Sequence, residues 1–187
     1  MIDQPLLPFG RFESVAPALE VADRLVAPVA AALAAWEDRE AARSVLYVDT
    51  DPEKADTAVF CEAYDVPLDG SANCVVVAAR RGGETTLAGC LALATTRVDV
   101  NRVVRKHLEA RKASFASMDA AVEATGMEYG GITPVGLPSG WPLLVDAAVA
   151  EAPFVLVGSG RRRGKLVLPG RVAARLPGAV VLPDLAG

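Results

Sequence analysis

Ser71-Ala72-Asn73-Cys74-Val75-Val76-Val77-Ala78, then Arg81-Gly82-Gly83, then the largely apolar run 85–95, reads as a β-hairpin. β-Branched residues suit a pleated, half-buried surface. Gly-Gly between two apolar runs supplies the backbone freedom of a tight turn. Period-two alternation puts Asn73, Val75 and Val77 on one face and Cys74, Val76 and Ala78 on the other. On that reading Asn73 and Cys74 do not share a site. Asn73 must find a partner in backbone, water or ligand, because an unpaired polar group in an apolar strand is costly.

Working outward, residues 44–48 are strand-like, Asp51-Pro52 opens a turn, and a helix is predicted through Ala58, Val59, Cys61, Glu62 and Ala63. Further upstream Val15, Leu19, Ala22, Leu25, Val26, Val29 and Leu33 recur at helical spacing. They predict one long amphipathic helix over about residues 14–40, kinked or broken at Pro28. Downstream, Asp99 is expected to cap a helix over 100–112 and Ser117 another over 118–125. Residues 142–146 and 154–158 read as strands. Strands and helices mix without βαβ regularity, so the expectation is an α+β fold with a mixed, curled sheet.

The 187 residues fit a single domain, 52% hydrophobic but only 5% aromatic, so Ala, Val and Leu must build the core. No apolar run is long enough to span a bilayer, and the first residues lack the pattern of a secretory signal. A cytoplasmic protein with no membrane partner is expected. Net charge is −4, but residues 1–79 carry 5 basic and 14 acidic residues while 80–187 carry 14 and 9. The positive charge gathers at Arg102, Arg105, Lys106, Arg111 and Lys112, and at Arg161-Arg162-Arg163 with Lys165. Such clusters either follow a phosphate backbone or are ordinary surface charge.

Cys61, Cys74 and Cys90 are widely spaced, and His107 is the sole histidine, so no transition-metal spacing exists. The cysteines read as small buried hydrophobes. His107 sits in a charged run and reads as a solvated residue rather than a catalytic base. Asp49, Asp51, Glu53 and Asp56 precede a helix, where carboxylates serve mainly as caps and dipole partners. Gly158-Ser159-Gly160-Arg161-Arg162-Arg163-Gly164-Lys165 departs from both the Walker and the dinucleotide pattern and reads as a tight basic turn between strands.

Thr125-Gly126-Met127-Glu128-Tyr129-Gly130-Gly131-Ile132-Thr133-Pro134-Val135-Gly136-Leu137-Pro138 is dense in the residues that permit or fix unusual backbone. It is either a structural connector or a loop that aims several N–H groups at an oxyanion or phosphate.

Taken in order, these segments resemble the YbaK/EbsC family of aminoacyl-tRNA editing domains, related to the inserted domain of bacterial prolyl-tRNA synthetases. The match rests on the helix around 56–66, the strand 71–78, Arg97-Val98-Asp99-Val100-Asn101, Ser114-Phe115-Ala116-Ser117, the Gly/Pro loop, Val145-Asp146 and Val157-Gly158-Ser159-Gly160. It spans about residues 45–185 and leaves residues 1–43 as an N-terminal helical extension to a domain at 44–187.

The resemblance implies an α+β fold with a mixed, barrel-like sheet flanked by helices, plus an extra N-terminal helix. It implies a freestanding deacylase that hydrolyses the ester of mischarged tRNA. No cofactor or metal is implied, and the nucleophile is water or a group of the substrate. Gly130, Gly131, Thr133 and Gly136 would face the ester. Asn73, Pro134, Asp146, Ser159 and Gly160 would bind substrate. Arg97, Arg102, Arg105, Lys106, Arg161, Arg162 and Arg163 would meet the tRNA. Aminoacyl-tRNA is the implied partner, with an aminoacyl-tRNA synthetase as a second, and the chain is expected as a monomer or homodimer.

One departure stands out: the family's strand Lys falls on Asn73, which keeps hydrogen-bonding capacity but carries no charge. Arg97 or one of Arg161 to Arg163 is the expected compensating cation. Without one, the chain reads as a non-catalytic tRNA- or nucleotide-binding homologue.

Overall fold

The computed structural model describes residue 7 and residues 9–187. The chain passes through β1 (Val15–Pro17), two 3-10 turns (Ala18–Glu20 and Ala22–Arg24), α1 (Ala27–Ala35), α2 (Arg39–Arg43) and β2 (Leu46–Val48). α3 (Thr57–Tyr64) precedes the hairpin β3 (Ala72–Arg81) and β4 (Glu84–Leu93). A π-wound turn (Val100–Val104) runs into α4 (Arg105–His107), and β5 (Lys112–Phe115) leads to α5 (Met118–Thr125). Beyond the Gly/Pro loop lie β6 (Leu143–Asp146), α6 (Ala147–Glu151), β7 (Val155–Gly158), β8 (Lys165–Leu168), α7 (Gly170–Ala173) and β9 (Ala179–Leu182).

The hairpin forms as predicted, paired from Ala72↔Leu93 to Arg81↔Glu84, with Gly82 and Gly83 at φ +58° and +88°. It is the centre of a five-stranded sheet of order β5-β3-β4-β6-β9, antiparallel on the β5 side and parallel from β4 through β6 to β9. A second, antiparallel sheet has the order β1-β2-β8-β7. A parallel bridge between Ser71 and Leu156 joins the two where β3 begins. The fold is α+β with a mixed sheet, and among the described residues it does not close into a barrel.

Two expected helices break up for local reasons. Over 14–40, Val15 is drawn into a ladder opposite Val48, and the helix starts only at Ala27, with Pro28 in its first turn. A missing N–H costs nothing there, so Pro28 begins a helix rather than kinking one. Over 100–112, Asp99 does cap, its Oδ1 accepting from the Arg102 N–H at 2.9 Å. The helix stops early because Glu109 turns left-handed, at φ +49°, and Lys112 pairs with Arg80 in the β5 ladder.

The main core joins N-terminal residues to both sheets: Val29, Leu33 and Trp36 pack in one cluster with Leu91, Leu143, Leu166 and Leu168. Val29 and Leu33, one turn apart on α1, are almost wholly buried. Around α3 a smaller cluster forms from Phe60, Cys61, Val66, Leu156 and Val167, and it floors the cavity described next.

Candidate functional site

β5 covers the edge of β3 only as far as Val76, whose carbonyl accepts from the Ala116 N–H at 2.9 Å. β7 bridges this edge only at Ser71, just before β3 begins. Between these points no strand pairs with the edge of β3 among the described residues, and a cavity of about 550 Å³ lies along it. Ser71 and the first residues of β3 through Val76 line it, with Phe115 and Ala116 at the end of β5 and Leu156, Val157 and Gly158 from β7. The start of α3 contributes Asp56, Thr57 and Phe60, the Gly/Pro loop Gly130 and Ile132, and β8 Lys165. Because the cavity runs along a strand edge, Asn73 and Cys74 both line it, contrary to the expectation from side-chain alternation.

Lys165 is the unusual group. Its side chain is only 7% exposed and donates to the Ala55 carbonyl at 3.2 Å, with the ammonium 5.3 Å from the centre of the Phe60 ring. Among the described residues no carboxylate lies within 4 Å of it. Burial, reinforced by Arg162 and opposed by Asp56 and Cys61, pulls its pKa down to about 8. Asp56 stands at the N-cap of α3 but makes no side-chain cap bond, whereas Asp38, Asp51, Asp99 and Asp146 all do. Its carboxylate is exposed on the cavity wall.

Asn73 finds a protein partner, its Oδ1 accepting from Thr57 Oγ1 at 3.1 Å. Cys74 is buried, and burial holds its thiol well above the usual range, so it is no thiolate nucleophile at neutral pH. In the Gly/Pro loop the Gly131 N–H is spent on Glu128 O, Thr133 N–H on the Met127 sulfur and Val135 N–H on Thr133 Oγ1. Gly130 and Ile132, both on the wall, have N–H groups with no acceptor among the described residues. At the mouth, Phe115, Met118 and Tyr129 are 53%, 51% and 59% exposed. They form an apolar, partly aromatic rim. A shallow groove continues from Met118 and Tyr129 to Arg162.

A model of the aminoacyl-tRNA editing domain matches residues 51–176. This chain belongs to the aminoacyl-tRNA editing domain family. The solved structures similar to it include a candidate trans-editing enzyme for prolyl tRNA synthetase, with TM-score 0.64, 19% identity, 73% of this chain and 83% of that one covered. Another is hypothetical protein APE2540, with TM-score 0.70, 19% identity and coverage of 80% and 95%. At such identity these structures speak for the fold alone. No curated protein matches.

Of the ester-facing and substrate-binding residues anticipated for this editing domain, the structure brings Asn73 and Gly130 to the cavity; the other seven lie elsewhere. Gly131 is buried where its loop crosses the basic turn, its carbonyl accepting from Gly160 N–H at 2.7 Å. Thr133 is fully buried and braces the loop. Pro134 and Gly136 line a separate groove with Trp36 and Trp141. Asp146 is buried, capping α6 through Ala148 N–H at 3.0 Å and holding Ala186 N–H at 3.0 Å. Ser159 Oγ donates inside the basic turn to the Arg161 and Arg163 carbonyls, and Gly160 packs against Val26.

The anticipated cations also divide. Arg163 is held by Asp49 in two bonds of 2.8 Å, and Arg161 reaches back to Leu25 O. Arg162 stands beside Gly130, near the cavity mouth. Arg102 and Lys106 lie with His107 around another groove, Arg105 bonds Asn101 O, and exposed Arg97 pairs its backbone with Gly187. None of these four lines the main cavity. Sequence reasoning missed Lys165, Asp56 and Ile132. For Lys165 a signal existed: a lone cation opening the apolar run Leu166-Val167-Leu168.

Proposed function

We propose that the chain is a freestanding aminoacyl-tRNA deacylase and that the cavity beside β3 holds the ester. Family membership supplies the substrate class, and the unspent N–H groups of Gly130 and Ile132 carry the chemical part of the reading. Donors fixed before the reaction suit the oxygen that becomes negative when an ester carbonyl turns tetrahedral. Water adds to the carbonyl carbon, the bond to the ribose oxygen breaks, that oxygen takes one of the water's protons and becomes a hydroxyl, and the amino acid leaves as its carboxylate with the other proton released to solvent. Neither a thiolate nor a histidine serves this cavity, which fits attack by water positioned by the substrate or its own hydroxyl. The exposed rings of Phe115 and Tyr129 suit stacking of a terminal base, and stacking tolerates any base. Walls of Phe60, Val76, Ala121, Ile132 and Leu156 leave room for a small side chain.

Incubation with a panel of tRNAs charged with small amino acids tests this reading. Ester loss well above the buffer rate for at least one member is expected; loss at the buffer rate for all of them rules it out. Asn73, uncharged where the resemblance expects Lys, favours a second reading, a binding homologue without turnover. That reading predicts tRNA binding with no ester loss for any member of the panel.

A further inference from the structure

Two opposite charges line the cavity without meeting. Lys165 has one protein acceptor and spare donor capacity, and Asp56 has no cation within 4 Å of its carboxylate among the described residues. A buried ammonium and a nearby carboxylate gain by pairing, so their separation leaves two complementary places for a ligand. Lys165, 7% exposed, lies at the inner end, whereas Phe115 and Tyr129 at the rim are more than half exposed. Whatever enters furthest meets the ammonium.

We propose that Lys165 and Asp56 together recognise the aminoacyl group itself: Lys165 donates to the acyl oxygen, and Asp56 accepts from the α-ammonium. This rests on the editing reading and deepens it, assigning the cation of the cavity to β8 rather than to Arg97 or the Arg161–Arg163 turn. The ligand class is an aminoacyl ester with a free amine; an N-blocked acyl group forfeits half of the recognition. The ammonium state of Lys165 depends on Asp56 and Cys61 of α3 and on Arg162 of the basic turn, the charged or titratable groups that bear on it.

The probe is a non-hydrolysable amide, 3′-deoxy-3′-(alanylamino)adenosine, with its seryl and prolyl counterparts and the N-acetyl form of each. Affinities are measured by calorimetry on the full chain, beside the deacylation panel. Lys165→Met is expected to weaken every ligand at least tenfold. Asp56→Asn should weaken the free-amine ligands about tenfold and the N-acetyl ligands less than twofold. Should Lys165→Met fail to fold, Lys165→Gln replaces it. As a further measurement, the unmodified chain should lose affinity for the N-acetyl ligands between pH 7 and pH 9, as Lys165 loses its proton. If the unmodified chain binds and hydrolyses while both variants keep its affinity within twofold, or its N-acetyl affinity is flat across that pH span, the Lys165–Asp56 assignment is overturned and the editing reading stands. If the unmodified chain neither binds any probe nor hydrolyses any ester, the editing reading fails and the assignment falls with it.

Discussion

At the scale of single residues, Lys165 sets function against stability. An ammonium taken from water into a cavity floor loses hydration, and one carbonyl and an aromatic face return only part of it. Its pKa, pulled down to about 8 in the fold from the ordinary 10.5, measures that loss. Below the folded pKa the unfolded chain holds the proton more tightly than the native one, so the penalty is fully present there. It disappears as pH rises from about 8 through the unfolded value, where both states become neutral. The shift corresponds to roughly 3 kcal/mol, and losing the bond to Ala55 O offsets about 1 kcal/mol of the gain from removing it. Lys165→Met should therefore raise the melting temperature by about 4–8 °C at pH 7. By pH 10.5 the difference from the unmodified chain should shrink towards zero. Comparing the two proteins cancels Tyr47, whose pKa burial raises and on which Lys165 does not bear. Melting curves at several pH values check it. A variant less stable than the parent at pH 7 would contradict the account.

At the scale of elements, the hairpin was legible because turn chemistry and strand pattern agree locally: two Gly residues, two apolar runs, one register. The capped start of α5 was legible for the same reason, Ser117 Oγ accepting the Ala120 N–H at 3.2 Å. The stretch 14–40 was not. Its helical spacing of apolar residues is shared among a strand whose Val15 packs in the cluster around α3, two turns, and a helix whose Val29 and Leu33 enter the main core, and periodicity cannot separate those cases. Lys165 was hidden likewise, since sequence groups it with three exposed-looking arginines. Only the ladder, which pairs it with Val48 on one side and Gly158 on the other, shows it to be interior. The Gly/Pro loop turned out to be connector and wall at once. Gly158 carries no side chain where β7 meets the loop's Gly131 and Ile132 carbonyls, and Gly131 none where the loop meets the basic turn. A Cβ on Gly131 would collide with the main chain of Arg161, which cannot give way as a flexible side chain could. Gly131→Ala is expected to destabilise the chain by about 2–3 kcal/mol. Because that crossing also sets the neighbouring Gly130, deacylation should fall more than unfolding alone explains. Denaturant titration beside single-turnover rates separates the two effects.

At the scale of the whole molecule, the acidic N-terminal half and the basic C-terminal half fold into one body, yet the basic groups are not equally free to meet a polyanion. Arg163 is neutralised by Asp49, whose carboxyl its guanidinium holds below the usual range, and Arg102 pairs with Asp99 at 3.0 Å. Arg162 sits where the cavity mouth opens onto the groove past Tyr129. On the editing reading, Arg162 is the cation placed to meet the phosphate next to an adenosine in the cavity, on a groove whose other charged residues, Asp119, Glu123 and Glu128, are acidic. Each phosphate contact releases counterions, so the salt dependence of binding counts contacts in a way that bare affinity does not. For each such contact to a single-stranded end, raising salt from about 50 to about 200 mM should weaken tRNA binding by roughly 2.5-fold. Arg162→Ala should lower the slope of log affinity against log salt by about 0.7. Arg163→Ala should leave the slope nearly unchanged, because its charge is already spent on Asp49. Filter binding across a salt series measures all three slopes. Equal losses for the two arginines would mean that the tRNA follows the basic turn as a whole rather than the groove at the cavity mouth.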